Sequence, residues 1–417
     1  QANEDFVCTL DEYNHISWKG LGKRIRVEIS SSVSARAHLK IRKHFIGYVK
    51  DDSDRLVADP LLNVSSLEMN GNQPRGIWVS GQIPDSRELL DVHELAVTVT
   101  FWLQDRFSTE KKVGELLVRF HVKNFKFISL RDDPFFLDLW QHPCNWARTY
   151  AIPLWSEEHW EVIDHHLEFL GAMGQKVITC TVSDFPWIGQ ECYLVTDYPS
   201  NLFEYNIIRP RKSKQGRIKC DFTLFDRWVQ TAMGKGITEE LDLYGLVGVW
   251  DINFSKKRFG NPFRDHDDAL RIRYFNERLG KYGYLSSRSE LVQYIKELVR
   301  HLKNKGWWEK TVICIDDPRE ANKLLAWMAF LHEIDSGFRF KMMISKAELF
   351  SDFRAHVTDW ALELPALIKA QHLIPALKAG TRDSGRISWY VSCVPEKPNS
   401  TLNSPLTENR IIPWLNF

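Results

Sequence analysis

The run Thr311-Val-Ile-Cys-Ile315 sets the tightest limit on what this chain can fold into. It is too short for a helix and lacks the polar alternation of a strand with one wet face. Its uncharged, mostly β-branched side chains instead suit a strand covered on both faces, as in a parallel sheet. Two carboxylates, Asp316-Asp317, close the run, and Pro318 follows. Proline is pre-shaped for the first turn of a helix. A buried strand that ends in charge and turns into a helix predicts a parallel α/β layer. It also predicts that Asp316 and Asp317 stand at the carboxyl ends of the strands, where such folds place their chemistry. Adjacent acids resist double ionisation, so one is expected to hold a proton while its neighbour is an anion. The plainer alternative is that both cap the helix after Pro318, although one cap suffices.

Strand-like and helix-like segments alternate from about residue 127 onward, which argues for a (β/α) barrel or an open doubly wound sheet. Expected strands are Phe136–Trp140, Lys176–Val182, Gly245–Trp250, Thr311–Ile315, Phe338–Ile344, Ala355–Trp360 and Arg386–Cys393. Expected helices start at Ser156, as a cap, and run to Leu170, with Gly174 beyond, and cover Phe222–Met233 and Ser287–Lys303. Before residue 127 the texture is different. Arg24–Ile29, Gly76–Ser80, Leu95–Phe101 and Gly114–Val122 are short alternating runs separated by turn residues, the pattern of an antiparallel sandwich. The expected domains are therefore a β-sandwich over 1–126 and a (β/α) barrel over 127–417.

With 55 basic and 54 acidic side chains, the formal charge of +1 provides no global field toward nucleic acid or an anionic membrane. The basic run Arg209-Pro-Arg-Lys-Ser-Lys214 reads as a solvated loop, since no aromatic residues interleave with it. No apolar stretch is long enough to span a bilayer. Seven cysteines stand singly, and Cys180, Cys314 and Cys393 fall in apolar strand-like runs where buried thiols are ordinary. Together with the lack of a leader pattern in the first residues, they favour a reducing, cytoplasmic setting over a secreted one. The histidines make no zinc set: His159, His165 and His166 share a helix without the needed spacing. Asp265-His-Asp-Asp268 lacks the glycine and distal glutamate of a calcium loop. Neither a metal nor an organic cofactor is expected.

Other polar and aromatic residues fall near the expected strand ends. His142 and Arg148 follow the first strand and could hold sugar hydroxyls, or serve as a satisfied structural histidine and an ion-paired arginine. Trp187 and the pair Trp250-Asp251 follow later strands. Indole faces stack on pyranose rings and carboxylates accept from hydroxyls, while core packing is the competing role for any one tryptophan.

These segments, in this order, resemble glycoside hydrolase family 123, the β-N-acetylgalactosaminidases, and its wider relatives. The matching pieces include Leu137-Asp-Leu-Trp-Gln-His-Pro143, Trp155-Ser-Glu-Glu-His-Trp160, Pro186-Trp187, His301-Leu-Lys-Asn-Lys-Gly-Trp307 and Ile315-Asp-Asp-Pro318. Gly174-Gln-Lys-Val-Ile-Thr179, Gln190, Asp221-Phe222, Phe225-Asp-Arg227, Ser388-Trp-Tyr-Val-Ser-Cys393, Pro398-Asn399, Ser404-Pro405 and Glu408-Asn-Arg410 complete the set. The resemblance implies a (β/α)8-type catalytic barrel that releases terminal β-linked N-acetylgalactosamine from a glycan. It implies a retaining mechanism in which the sugar's own 2-acetamido oxygen is the nucleophile. Asp316 would then orient the acetamido group, and Asp317 would serve as acid and base. His142, Arg148, Trp187, Trp250, Asp251, Tyr390, Asn399 and Arg410 would line the sugar site. Two departures stand out. The family's usual pair is Asp-Glu, whereas Asp317 holds the acid position here, with about 1.5 Å less reach. The family also continues past Trp414 into a last strand and helix, so either a fragment of a longer chain or a barrel left open beside its first strand is expected. The rival readings are a silent carbohydrate-binding relative and a hydrolase of the same scaffold acting on a different sugar.

Overall fold

The computed structural model describes residues 9–10, 16–17, 23–32, 40–51, 53–69, 76–82, 94–121, 129, 132, 134–186, 203–247, 270–316, 321–375, 385–402 and 404–415. The chain divides into two compact units, Gln1–Phe127 with Lys397–Phe417, and Ile128–Glu396.

In the first unit, the longer strands are β1 (Lys23–Ser31), β2 (Lys40–Lys50), β3 (Leu56–Leu62), β4 (Ser66–Met69), β5 (Ile77–Gln82), β6 (Glu94–Asp105) and β7 (Lys111–His121). They form two antiparallel sheets, ordered β4-β1-β6-β7 and β3-β2-β5. Val27, Leu95, Val97 and Val99 of the first sheet and Phe45 of the second share one buried cluster, which makes the pair a sandwich. Strands β2, β3 and β4 were not expected. The cations of β2 masked its pattern, and Pro60 argued against β3, which tolerates it as an edge strand.

The second unit is mixed α/β. Its helices are α1 (Pro143–Thr149), α2 (Glu157–Ala172), α3 (Thr223–Gly234), α4 (Arg288–Asn304), α5 (Ala321–Ile334), α6 (Leu349–Phe353) and α7 (Leu364–Ala370). Its longer strands are β8 (Val177–Thr181), β9 (Arg209–Lys212), β10 (Ile218–Asp221), β11 (Glu240–Tyr244), β12 (Arg273–Asn276) and β13 (Lys281–Tyr284). They continue with β14 (Thr311–Asp316), β15 (Phe340–Ile344), β16 (Asp359–Glu363) and β17 (Ile387–Tyr390). Six of them make one parallel sheet in chain order, β8-β11-β14-β15-β16-β17. Chain order without reversal is the winding of a barrel wall, not of a doubly wound sheet. Ser156 caps α2 through its hydroxyl, as expected, and Ser287, expected as the first residue of its helix, caps α4 in the same way. No helix among the described residues is long and apolar enough to cross a membrane.

Five expectations need correction. The strand placed at Gly245–Trp250 lies earlier, at Glu240–Tyr244, because its two acids made a buried strand look solvated. The strand placed at Ala355–Trp360 is Asp359–Glu363 for the same reason. Phe136–Trp140 contributes only a single parallel bridge, Leu137 to Gln175. The neighbouring backbone is held instead by side-chain amides: Leu139 N donates to Gln175 Oε1 at 2.9 Å, and Thr179 N to Gln141 Oε1 at 2.8 Å. The basic run at 209 is strand β9 rather than a loop, and Cys393 is exposed.

The parallel sheet has two unlike faces. Ile178, Leu243, Ile313, Ile315, Met342 and Leu362 point to the helices and join the main core. The other face carries charge. Lys341, 3% exposed at its side chain, places Nζ 2.7 Å from Asp138, 2.9 Å from Asp242 and 2.6 Å from Glu240. Arg386 reaches Glu240 at 3.0 Å and lies 3.6 Å over the Phe136 ring. Asp359 accepts from Thr358 Oγ1 at 2.7 Å. Four acids thus meet two cations, and two acids resolve the excess by favouring the neutral form. Burial pushes Asp242 well above the usual carboxylate range, and burial with the charge of Glu240 raises Asp359. Burial would raise Glu240 as well, but Lys341, Arg386 and a hydrogen bond with Asp242 hold it low.

Lys341→Met should destabilise the fold by about 3–5 kcal/mol, because it strands carboxylates without their cation. Asp242→Asn, which mimics the neutral acid, should cost clearly less. Urea unfolding of the two variants checks the order, and equal losses would refute this charge assignment.

Candidate active site

The last residue of β14 is Asp316, and strand alternation turns it to the same face as Cys314 while Ile313 and Ile315 face the helices. Asp316 is 8% exposed. The hydroxyl of Tyr244, at the end of β11, donates to Asp316 Oδ2 at 3.1 Å. Tyr244, Cys314 and Met343 form a small apolar cluster against which Trp140, Ala361 and Tyr390 pack. Trp140 leans on Tyr244 with ring centroids 5.2 Å apart. The inner face therefore changes from charge near the strand starts to an aromatic layer, and then to a carboxylate at the strand ends. Glu363 closes β16 in register with Tyr390 and accepts from the Ser392 hydroxyl.

His142 follows this wall as the residue before α1, with its ring edge-on to Trp140 at 6.5 Å. Burial, with the nearby Arg148 charge, pushes its pKa down to about 4, so the imidazole is neutral across the physiological range. Arg148 turns to Glu204 at 3.8 Å. The buried Glu204 carboxylate also accepts from Cys144 N at 3.0 Å and Asn145 N at 2.9 Å, satisfying the first turn of α1. His159 is a structural histidine: its Nδ1 accepts from Trp155 N at 3.0 Å and its Nε2 donates to Pro143 O at 2.9 Å.

Of the residues singled out in the sequence, Asp316 and Tyr390 come together on this face, and His142 adjoins it through Trp140. Asn399 belongs to the other compact unit, where its side-chain oxygen accepts from Ser400 N at 2.6 Å. Arg410 lies on helix α8 (Leu406–Trp414) of that unit, and its side chain is outside the described residues. Asp317, Trp187, Trp250, Asp251 and the acidic segment at 265–268 are outside them as well. Tyr244, Trp140 and Glu363 are the residues that sequence reasoning did not select. Trp140 was legible beside His142, but Tyr244 was hidden by the misplaced strand. Among the described residues, no group of three His, Cys, Asp or Glu side chains is placed to hold a metal.

A carboxylate at the carboxyl edge of a parallel sheet, hydrogen-bonded by a tyrosine and walled by aromatic rings, fits a carbohydrate-cleaving enzyme. The family model for the glycoside hydrolase 123 catalytic domain matches residues 140–417, more than half of the chain. The chain belongs to glycoside hydrolase family 123. A solved family 123 glycoside hydrolase from Clostridium perfringens, studied for glycolipid glycan hydrolysis, is similar with a TM-score of 0.68 at 20% identity. That similarity covers 94% of this chain and 68% of the other. A β-D-glucuronidase from Dictyoglomus thermophilum follows at TM-score 0.33 and 10% identity, covering 99% and 64% of the two chains. A β-glucuronidase from an uncultured Clostridium gives 0.31 and 13%, covering 94% and 58%. The last two are too dissimilar to inform the site. A search of curated proteins finds no match to this sequence.

The depressed His142 pKa carries a stability consequence. The folded state binds its proton less tightly than the unfolded state, so protonation favours unfolding. The contribution is complete above the ordinary value of 6.5 and declines as the pH falls toward about 4. His142→Gln should flatten the loss of unfolding free energy between those pH values. A pH series of urea denaturations with unchanged slope would refute this.

Proposed function

We propose that the chain is an exo-acting glycosidase that releases terminal β-linked N-acetylgalactosamine from a glycan, through nucleophilic attack by the sugar's own 2-acetamido oxygen. We further propose that the parallel sheet belongs to a (β/α)8-type barrel. The observation that carries the reading is Asp316, held at the strand ends by Tyr244 inside an aromatic wall. An enzyme that uses a carboxylate nucleophile needs acids on opposite sides of the anomeric carbon. An acetamido nucleophile releases one of them, so two neighbouring acids can share the work.

In this reading Asp316 accepts the acetamido N–H. That contact aims the carbonyl oxygen at the anomeric carbon and offsets the positive charge of the oxazolinium formed. Tyr244 fixes which way the Asp316 carboxylate faces. Trp140 and Tyr390 offer faces for the apolar side of the sugar and its methyl group. Asp317 donates a proton to the departing glycosidic oxygen, then removes one from the water that opens the oxazoline. Its shorter side chain, in place of glutamate, makes a lower rate than in the usual Asp-Glu arrangement the natural expectation. The glycan of a glycolipid is a candidate substrate, by analogy with what is described for the Clostridium perfringens enzyme.

Release of nitrophenol from its β-N-acetylgalactosaminide should be measurable. It should fall by about two orders of magnitude or more in Asp317→Asn, with sugar binding retained. Binding without turnover at any pH would favour a lectin-like protein, and turnover of sugars lacking the acetamido group would exclude this mechanism. Tyr244→Phe should lower kcat by about tenfold with a small change in KM, since it loosens Asp316 without touching the sugar. An unchanged kcat would remove Tyr244 from its positioning role.

A further inference from the structure

The basic run that looked like a plain loop sits on a sheet whose outer face is cationic and aromatic. Strands order as β10-β9-β12-β13, and register places Arg209 opposite Asp221, Arg211 opposite both Lys219 and Phe275, Phe275 opposite Tyr282, and Arg273 opposite Tyr284. Alternation gives the other face to Pro210, Ile218, Cys220 and Tyr274, which are buried or packed on the core. That face rests on α4, where Ile218 N donates to Gln293 Oε1 at 3.1 Å and Lys212 pairs with Glu290 at 2.6 Å. The inward and outward sides of this sheet are therefore settled by its contacts.

The outward side interleaves what the sequence keeps apart. The Arg211 guanidinium lies 5.8 Å from the Phe275 ring centre. That of Arg273 lies 5.2 Å from Tyr205 and 5.6 Å from Tyr282, and Tyr282 is 69% exposed. Arg209, Arg211, Lys219 and Arg273 share this face with Asp221, whose carboxylate is engaged by Thr223 N at 2.9 Å and Oγ1 at 2.6 Å, and Arg273 is already paired with the buried Asp184. A guanidinium stacked on a ring keeps its N–H edges free for a planar or tetrahedral anion, and a tyrosine face suits the C–H side of a sugar.

The sheet is rooted at the mouth of the parallel sheet. Ile207 N donates to Thr181 O at the end of β8 at 3.0 Å, and Asp184 N to Arg271 O at 2.6 Å. The buried Asp184 carboxylate then accepts from Asn206 N at 3.0 Å and meets Arg273 Nε at 3.3 Å. Only β11 separates β8 from the strand of Asp316, so the anchor lies about 10 Å from that strand.

We infer that this outward face binds an acidic sugar unit of the glycan, one that carries a carboxylate or sulfate ester and lies beyond the sugar that is cleaved. The choice of a glycan rests on the proposed glycosidase function; the choice of an anion rests on the exposed cations Arg209, Arg211 and Lys219 and on the rings stacked against Arg211 and Arg273. Nucleic acid suits the face less well, because a chain of net charge +1 lacks the extended field that a phosphate backbone demands.

The test is calorimetric binding to the full chain of size-defined chondroitin sulfate oligosaccharides, unsulfated chondroitin, a neutral oligosaccharide of equal length and a single-stranded oligonucleotide. Both acidic glycans should outbind the neutral one, with affinity falling as salt rises. Stronger binding of the sulfated form would identify sulfate esters as the group read, and equal binding the carboxylate. Arg211→Glu and Tyr282→Ala should each weaken acidic-glycan binding by about tenfold, while turnover of the nitrophenyl substrate is unchanged. Lys219→Glu, on the same exposed face, repeats the test should either variant fold poorly. Equal affinity for neutral and acidic glycans, indifference to all three variants, or tighter binding of the oligonucleotide would each overturn the inference. Loss of nitrophenol release with this binding pattern intact would instead overturn the glycosidase reading alone.

Discussion

The inner face of the parallel sheet is organised around one ammonium group. Lys341 is buried on β15 and touches Glu240 and Asp242 of β11 and Asp138 ahead of β8, so it joins segments that are far apart in sequence. Desolvating these ions is costly, and an apolar filling of equal volume would match or exceed their stability. What the cluster contributes is geometric uniqueness. A register slip of one residue in β11 would turn both acids toward the apolar helices and leave Lys341 without partners. Burial raises the pKa of both Asp242 and Asp359, which moves them toward the neutral form and eases the excess of acids over cations.

That fixed floor gives the strand ends a defined height. Tyr244 follows Asp242 by two residues on the same face, and its hydroxyl meets the carboxylate of Asp316 two residues beyond Cys314. The register that seats the buried ions is thus the register that brings tyrosine to aspartate. Trp140 arrives by a different route. Amide side chains of Gln141 and Gln175 bind its segment to β8 where a regular ladder is missing.

Local rules read much of this architecture well. The β-branched run at 311–315, the serine caps of α2 and α4 and the turn-separated strands of the sandwich each carry their own signal. Reading failed where charge was buried. Glu240-Leu-Asp-Leu-Tyr244 has the alternation of a half-solvated strand, but both of its faces are covered. The error displaced the strand toward Gly245 and hid Tyr244. The basic run at 209 failed in the opposite sense, because the ring beside its Arg211 comes from Phe275 of β12, far away in the sequence.

Composition and order of residues by themselves carried the mixed α/β character of the fold and the family, since both depend on short patterns that neighbours in the chain impose. Pairing across the sheet decided the rest. Which acids are pushed toward the neutral form, which tyrosine touches Asp316 and which face of the small sheet meets solvent all depend on atoms brought within a few ångströms by folding. Electrostatic and hydrogen-bond energies vary steeply over such distances, and a linear sequence does not contain them.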